Sequence, residues 1–195
     1  MPVFYKFRLI SNPTCNAYSF TMSKKRELSQ ITELIIHCAA TPNGVDFTAE
    51  DIDQWHEERG FNRAPCFISK DAPLTAIGYH YVIDLKGAVT IGRLLTETGA
   101  HALHHNTSGI GICLVGTDRF TSAQWQRLAK VVTALQRQFP AIEIKGHRDL
   151  SPDLNGNGVI EKNEWLKTCP GFDVQSWLDN KQSPSKFSVL ESDHD

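Results

Sequence analysis

No uninterrupted apolar run in this chain approaches the roughly 18–20 residues that cross a bilayer. There is no excess of one charge either: 20 Lys and Arg stand against 22 Asp and Glu, a net −2. No broad basic field is therefore present to bind nucleic acid or an anionic membrane. The first thirty residues contain Phe4, Phe7, Leu9 and Ile10, but Lys6, Arg8, Asn12 and Pro13 interrupt them. They do not form the long apolar stretch of a secretory signal, so synthesis and folding in the cytoplasm are expected. The five cysteines (Cys15, Cys38, Cys66, Cys113, Cys169) are odd in number, scattered, and include no C-x-x-C pair, which argues against a disulfide scaffold. Kinase chemistry is excluded as well. His147-Arg148-Asp149-Leu150 imitates a catalytic loop but has Leu154 where that loop needs Asn, and neither a Gly-rich loop nor D-F-G occurs.

What is present is an ordinary globular composition, 41% hydrophobic and 22% charged over 195 residues, enough for one domain with a core. Apolar runs and punctuation alternate in a mixed α/β manner. Residues 33–40 read as a buried strand ended by Pro42-Asn43-Gly44. Residues 48–60 read as a helix, with Thr48 and Asp51 as a capping pair and Gly60 as the stop. Residues 61–76 read as a loop. Residues 79–84 and 88–93 form a hairpin about Leu85-Lys86-Gly87, and residues 109–116 make another buried strand. A helix over 121–139 places Trp125, Leu128, Val132 and Leu135 on one face, and Pro140 ends it. A short strand over 142–147 and short helices over 161–167 and 173–180 complete the set. Residues 1–30 are expected to be an arm or small extra element, 31–180 the domain proper, and 181–195 a disordered tail, rich in Ser, Lys and Asp.

Eight histidines invite weighing. His37 ends one strand and His147 another, and Cys169 follows His147 by 22 residues in the polar context Lys167-Thr168-Cys169-Pro170. Two imidazoles and a thiolate make a three-ligand zinc set that leaves a fourth position for water. Separated satisfied histidines and a free thiol fit the same spacing, so position alone does not gather the three. Pro170 favours an extended Cys169, which would turn Lys167 and Cys169 to one side. Such an ammonium beside a metal suits oxyanion stabilisation, although a lone lysine on a turn is ordinarily just solvated. Strand alternation puts Tyr79 and His80 on opposite faces. Tyr79, at the strand start, is the functional candidate and His80 the core histidine.

The segments Ile35-Ile36-His37-Cys38-Ala39-Ala40-Thr41, Gly78-Tyr79-His80-Tyr81-Val82-Ile83, Gly99-Ala100-His101 with 109–116, Gly146-His147-Arg148-Asp149, and Lys167-Thr168-Cys169-Pro170-Gly171-Phe172 occur in that order. Together they resemble the type 2 N-acetylmuramoyl-L-alanine amidases, the group of bacteriophage lysozyme-like amidases and peptidoglycan recognition proteins, over about residues 31–180. The resemblance implies one zinc held by His37, His147 and Cys169, catalytic Tyr79 and Lys167, and His101 near the substrate groove. It implies an α/β fold, a single domain with a mixed central β-sheet flanked by helices. The implied reaction is hydrolysis of the amide between N-acetylmuramic acid and L-alanine, with peptidoglycan as partner, and a monomer is expected. The Tyr79 and Lys167 pair resembles the phage subgroup, which points to a phage or prophage lysin acting on the wall after release. A cytoplasmic muropeptide-recycling amidase and a non-catalytic peptidoglycan-binding module are the alternatives; a calcium-regulated structural protein with vestigial zinc residues is a third.

Between His147 and Cys169 lies an insertion with its own signature. Asp153-Leu154-Asn155-Gly156-Asn157-Gly158, five residues, then Glu164 matches the EF-hand-like calcium loop D-x-[DN]-x-[DN]-G-x₅-E. Asp153, Asn155, Asn157, the Val159 carbonyl and Glu164 are the expected ligands over 153–164. A Gly/Asn-rich surface turn has the same composition.

Overall fold

The computed structural model describes residues 22–191. Five strands form one mixed sheet in the order β3-β2-β4-β1-β5: β1 (Glu33–Cys38), β2 (Tyr81–Ile83), β3 (Val89–Ile91), β4 (Gly109–Leu114) and β5 (Glu143–Gly146). All pairings are parallel except β2 with β3, the hairpin. Leu34-Ile35-Ile36 and Ile110 to Leu114 are buried on both faces, as continuous apolar runs of a covered parallel sheet should be.

Three helices supply the cover: α1 (Ala49–Glu58), α2 (Ser122–Gln138) and α3 (Val174–Asp179). Capping boxes start the first two, Thr48 with Asp51 and Thr121 with Gln124. On one face Leu34, Ile36, Ile112 and Leu114 pack with Trp125, Leu128, Val132 and Leu135 of α2 and with Phe172 and Trp177. On the other, Val82, Cys113 and Val115 pack with Ala49 and Ile52 of α1 and with Leu74 and Ile77.

The structure departs from the sequence reading at four places. The expected helix over 161–167 is only a 3₁₀ turn at Lys162–Glu164. Residues 61–76 hold a 3₁₀ turn at Pro65–Phe67 and bury Ala64, Phe67, Ala72, Leu74 and Ala76, so this connection contributes to the core. Residues 181–191 are not a free tail: the Ser188 carbonyl accepts from the Phe120 amide and the Trp125 indole, and the Leu190 amide donates to the Phe120 carbonyl. Among the described cysteines, Cys38, Cys113 and Cys169 are free thiols whereas Cys66 is disulfide-bonded. Most of the expected N-terminal arm lies outside the described residues, but its last part docks: the Ser23 amide donates to the Asn62 carbonyl, and Arg26 is buried.

Arg26 joins a charged cluster under the loops. Glu97, with no exposed side chain, receives a bidentate contact from Arg63 and lies 3.9 Å from Arg93. Carbonyl oxygens also accept from the guanidinium groups: those of Ala72, Leu74 and Phe67 for Arg63, Ile77 and Thr98 for Arg93, and Leu95, Thr107 and Gly109 for Arg26, whose Nη2 also lies 2.8 Å from His80 Nε2. Three buried cations share one carboxylate, so removing that carboxylate leaves charge uncompensated where water does not reach. Glu97→Ala is expected to lower stability by about 3–5 kcal/mol, read as a reduced midpoint in urea unfolding.

Candidate metal centre

Parallel pairing of β1 with β5 sets Ile36 beside Gly146. The next residues, His37 and His147, therefore leave the sheet side by side despite lying 110 positions apart. Both are at carboxyl ends of parallel strands, where open α/β sheets bind ligands. Cys169 arrives on the segment before α3, held by its own backbone: its carbonyl accepts from the Arg148 amide at 2.7 Å, and its Sγ accepts from the Cys38 amide at 3.2 Å. Gly146 makes this docking possible, since a Cβ there would stand 2.8 Å from Pro170 Cδ.

His37 Nδ1 lies 3.1 Å from His147 Nδ1 and 3.8 Å from Cys169 Sγ. One ligand atom from each of the three fits within 4.8 Å of the others. Zinc–nitrogen bonds of about 2.0–2.1 Å and a zinc–sulfur bond of about 2.3 Å at tetrahedral angles place nitrogens about 3.3 Å apart, and nitrogen and sulfur about 3.6 Å apart. The two distances from His37 Nδ1 lie close to those values. The protonation chemistry suits the set as well, because ligands must be neutral imidazole and thiolate. Burial and the neighbouring histidines hold the His37 pKa well below the ordinary histidine value; burial, then the Lys167 charge, lowers that of His147. Without a cation, the neighbouring Cys38 thiol and burial push the Cys169 thiol up, and a bound cation deprotonates such a thiol outright.

Tyr79 and His101 complete the inner wall. The Tyr79 ring centroid is 5.1 Å from that of His37, and Tyr79 packs against the cluster that holds Cys113, the partner of His37 across β1 and β4. Burial raises the Tyr79 pKa well above the ordinary phenol value. Lys167 is exposed and close enough to His147 to depress its basicity. His80 is fully buried, as a core histidine should be, with Nδ1 accepting from the Gly111 amide. His101, half-buried, stands beside the centre: its Nδ1 faces His37 Nε2 at 3.0 Å, and its Nε2 is shut off from solvent.

The insertion stands apart from this cluster. Asp153 accepts from the amides of Gly156 and Gly158, while Asn155 and Asn157 accept from those of Asn157 and Val159. Glu164 is buried, and its Oε1 reaches the amides of Leu154 and Asn155 across the loop. The sequence reading missed the Cys38 amide on the thiolate and the contact of His101 with His37. The only advance signal for the latter is the glycine set around it, Gly99, Gly109 and Gly111.

The comparisons agree with this geometry. The chain is 29% identical over 180 residues to the endolysin of Klebsiella phage KP32, covering 88% of this chain and 95% of that one. It is 51% identical over 106 residues to an uncharacterized protein of Haemophilus influenzae, a match covering 50% of this chain and 91% of the other. A Drosophila PGRP-LB mutant in complex with tracheal cytotoxin shares the fold at a TM-score of 0.58 and 19% identity, over 88% of this chain and 89% of that one. Residues 27–172 match the N-acetylmuramoyl-L-alanine amidase model, Amidase_2, and with five strands, two imidazoles and one thiol arranged as described, the chain belongs to that family.

Proposed function

We propose that this protein is a zinc hydrolase that cuts the amide between N-acetylmuramic acid and L-alanine in peptidoglycan. The observation that carries the reading is the clustering of one ligand atom each from His37, His147 and Cys169 within 4.8 Å of one another. Zinc bound there would supply a Lewis acid and lower the pKa of a water. The remaining work falls to the chain's own groups. Tyr79, whose ring stands beside His37, orients or deprotonates the water, or hydrogen-bonds the tetrahedral intermediate. Lys167 brings an ammonium to the exposed side of the centre, where negative charge develops on the carbonyl oxygen. A complete ligand triad favours the enzyme over a module that only binds muropeptides.

The relative named endolysin is matched over nearly its whole length, which favours a lysin acting on the wall after release over a muropeptide-recycling amidase. Peptidoglycan is the proposed partner; PGRP-LB, of the same fold, is complexed with tracheal cytotoxin.

Metal analysis of the purified protein, paired with mass spectrometry of digested peptidoglycan, tests the assignment. Stoichiometric zinc and stem peptides beginning at a free L-alanine amine are expected; zinc-free active protein or any other new end group would overturn it. Cys169→Ala is expected to lose zinc and activity together. Lys167→Ala should retain zinc but turn over about 10²–10³-fold more slowly, the cost of losing an oxyanion donor; normal turnover would remove Lys167 from the mechanism.

A second ion is proposed at 153–164. Supporting it are the full motif match, Gly158 at φ +82°, and Glu164 folded back across the loop toward Leu154 and Asn155. Calcium held by Asp153, Asn155, Asn157, the Val159 carbonyl and Glu164 would stiffen the segment that presents Lys167 and Cys169. With zinc kept bound, thermal unfolding is expected at higher temperature in calcium than in a calcium-selective chelator. Superimposable curves would count against the site.

A further inference from the structure

The zinc reading gives each imidazole one nitrogen for the metal, and in His37 that nitrogen is Nδ1, the atom turned to His147 and Cys169. Its other nitrogen, Nε2, then carries the proton and needs an acceptor. The group 3.0 Å away is His101 Nδ1. We propose that His101 is a positioning residue for the metal: its Nδ1 accepts the Nε2 proton of His37 and so fixes the tautomer and ring orientation of that ligand. The inference rests on the zinc reading above.

Two features of the fold build this contact. The His101 backbone is anchored where its amide and that of Ala102 both donate to the Asn106 side chain, at 2.8 and 3.0 Å. The ring itself occupies space kept open by glycine. A Cβ on Gly99 would stand 2.4 Å from His101 Cδ2, and one on Gly111 2.6 Å from the same atom. A Cβ on Gly109 would be 3.4 Å from Cε1. Closely walled on these sides, the ring has little freedom to turn away, so the acceptor is in place before any ion binds. In this tautomer the proton of His101 sits on Nε2, which is sealed from solvent with no hydrogen-bond partner among the described residues, a cost set against the contact with His37.

The choice of acceptor has a chemical consequence. Metal-bound histidines commonly donate to a carboxylate or a carbonyl. A carboxylate would cancel the net positive charge that zinc keeps after binding one thiolate. A neutral imidazole orients His37 equally well and leaves that charge to act on water and substrate.

The test compares the intact protein with His101→Ala and His101→Asn, whose Oδ1 falls near the position of Nδ1 and accepts a hydrogen bond. Zinc affinity is measured by competition with a chromophoric chelator, alongside melting of each zinc-free protein. His101→Ala is expected to bind zinc about 10–100-fold more weakly. His101→Asn should recover most of that loss while melting, zinc-free, like His101→Ala, because both empty the same ring cavity. Unchanged affinity in His101→Ala overturns the proposal, as does an Asn variant no better than Ala, which would mark a packing role. Nitrogen NMR of the intact zinc-loaded protein needs no substitution: His37 protonated at Nε2 and His101 unprotonated at Nδ1 are expected, and the opposite tautomers overturn it. Failure of the intact protein to hold zinc would instead sink the functional reading, and this inference with it.

Discussion

Everything at the centre depends on the parallel register of β1 between β4 and β5. Pairing Ile36 with Gly146 delivers His37 and His147 to the same edge of the sheet, and pairing His37 with Cys113 brings in the cluster that Tyr79 packs against. Parallel strands all end at one edge, so side chains remote in sequence meet there without a local motif to join them. A slip of one residue would turn His37 to the α2 face and send Cys38 toward the site. The register is held by Leu34, Ile35 and Ile36, which are fully buried and leave no alternative placement that keeps them from water.

Around this frame the protein spends buried polarity in two ways. Beneath the loops, Arg26, Arg63 and Arg93 gather about Glu97 and pin the segments 61–76 and 94–109 through their carbonyl groups. At the metal centre, His37 is buried and His101 and His147 are half-buried, and desolvation holds all three imidazoles below the ordinary histidine pKa, His101 at about 3 by burial first and then by the Arg26 charge. The first arrangement substitutes for regular structure in long connections. The second holds a donor set ready in the state in which it binds a cation.

Much of the fold was legible because it rests on local signals. The helix at 122–138 was legible from its apolar face and the terminating Pro140, and the central strands from short runs of Ile, Leu and Val. Where reasoning failed, a distant partner decided the outcome. Residues 161–167 have helical composition but only one 3₁₀ turn, because Glu164 is committed to the amides of Leu154, Asn155 and Glu161. Residues 181–191 are polar enough to read as a tail, yet backbone hydrogen bonds with Phe120 hold them.

The ligand types themselves were already written in the chain: His37 and His147 at strand ends, and Cys169 in a polar turn that no core would need. Only the tertiary structure decided that the two imidazoles and the sulfur converge, that His101 stands against His37, and that Arg26, Arg63 and Arg93 lie inside around Glu97. The division has one physical cause. Periodicity and capping act over a few residues and leave their mark on composition, whereas convergence comes from strand pairing between segments up to 110 positions apart, which no stretch of the sequence encodes alone.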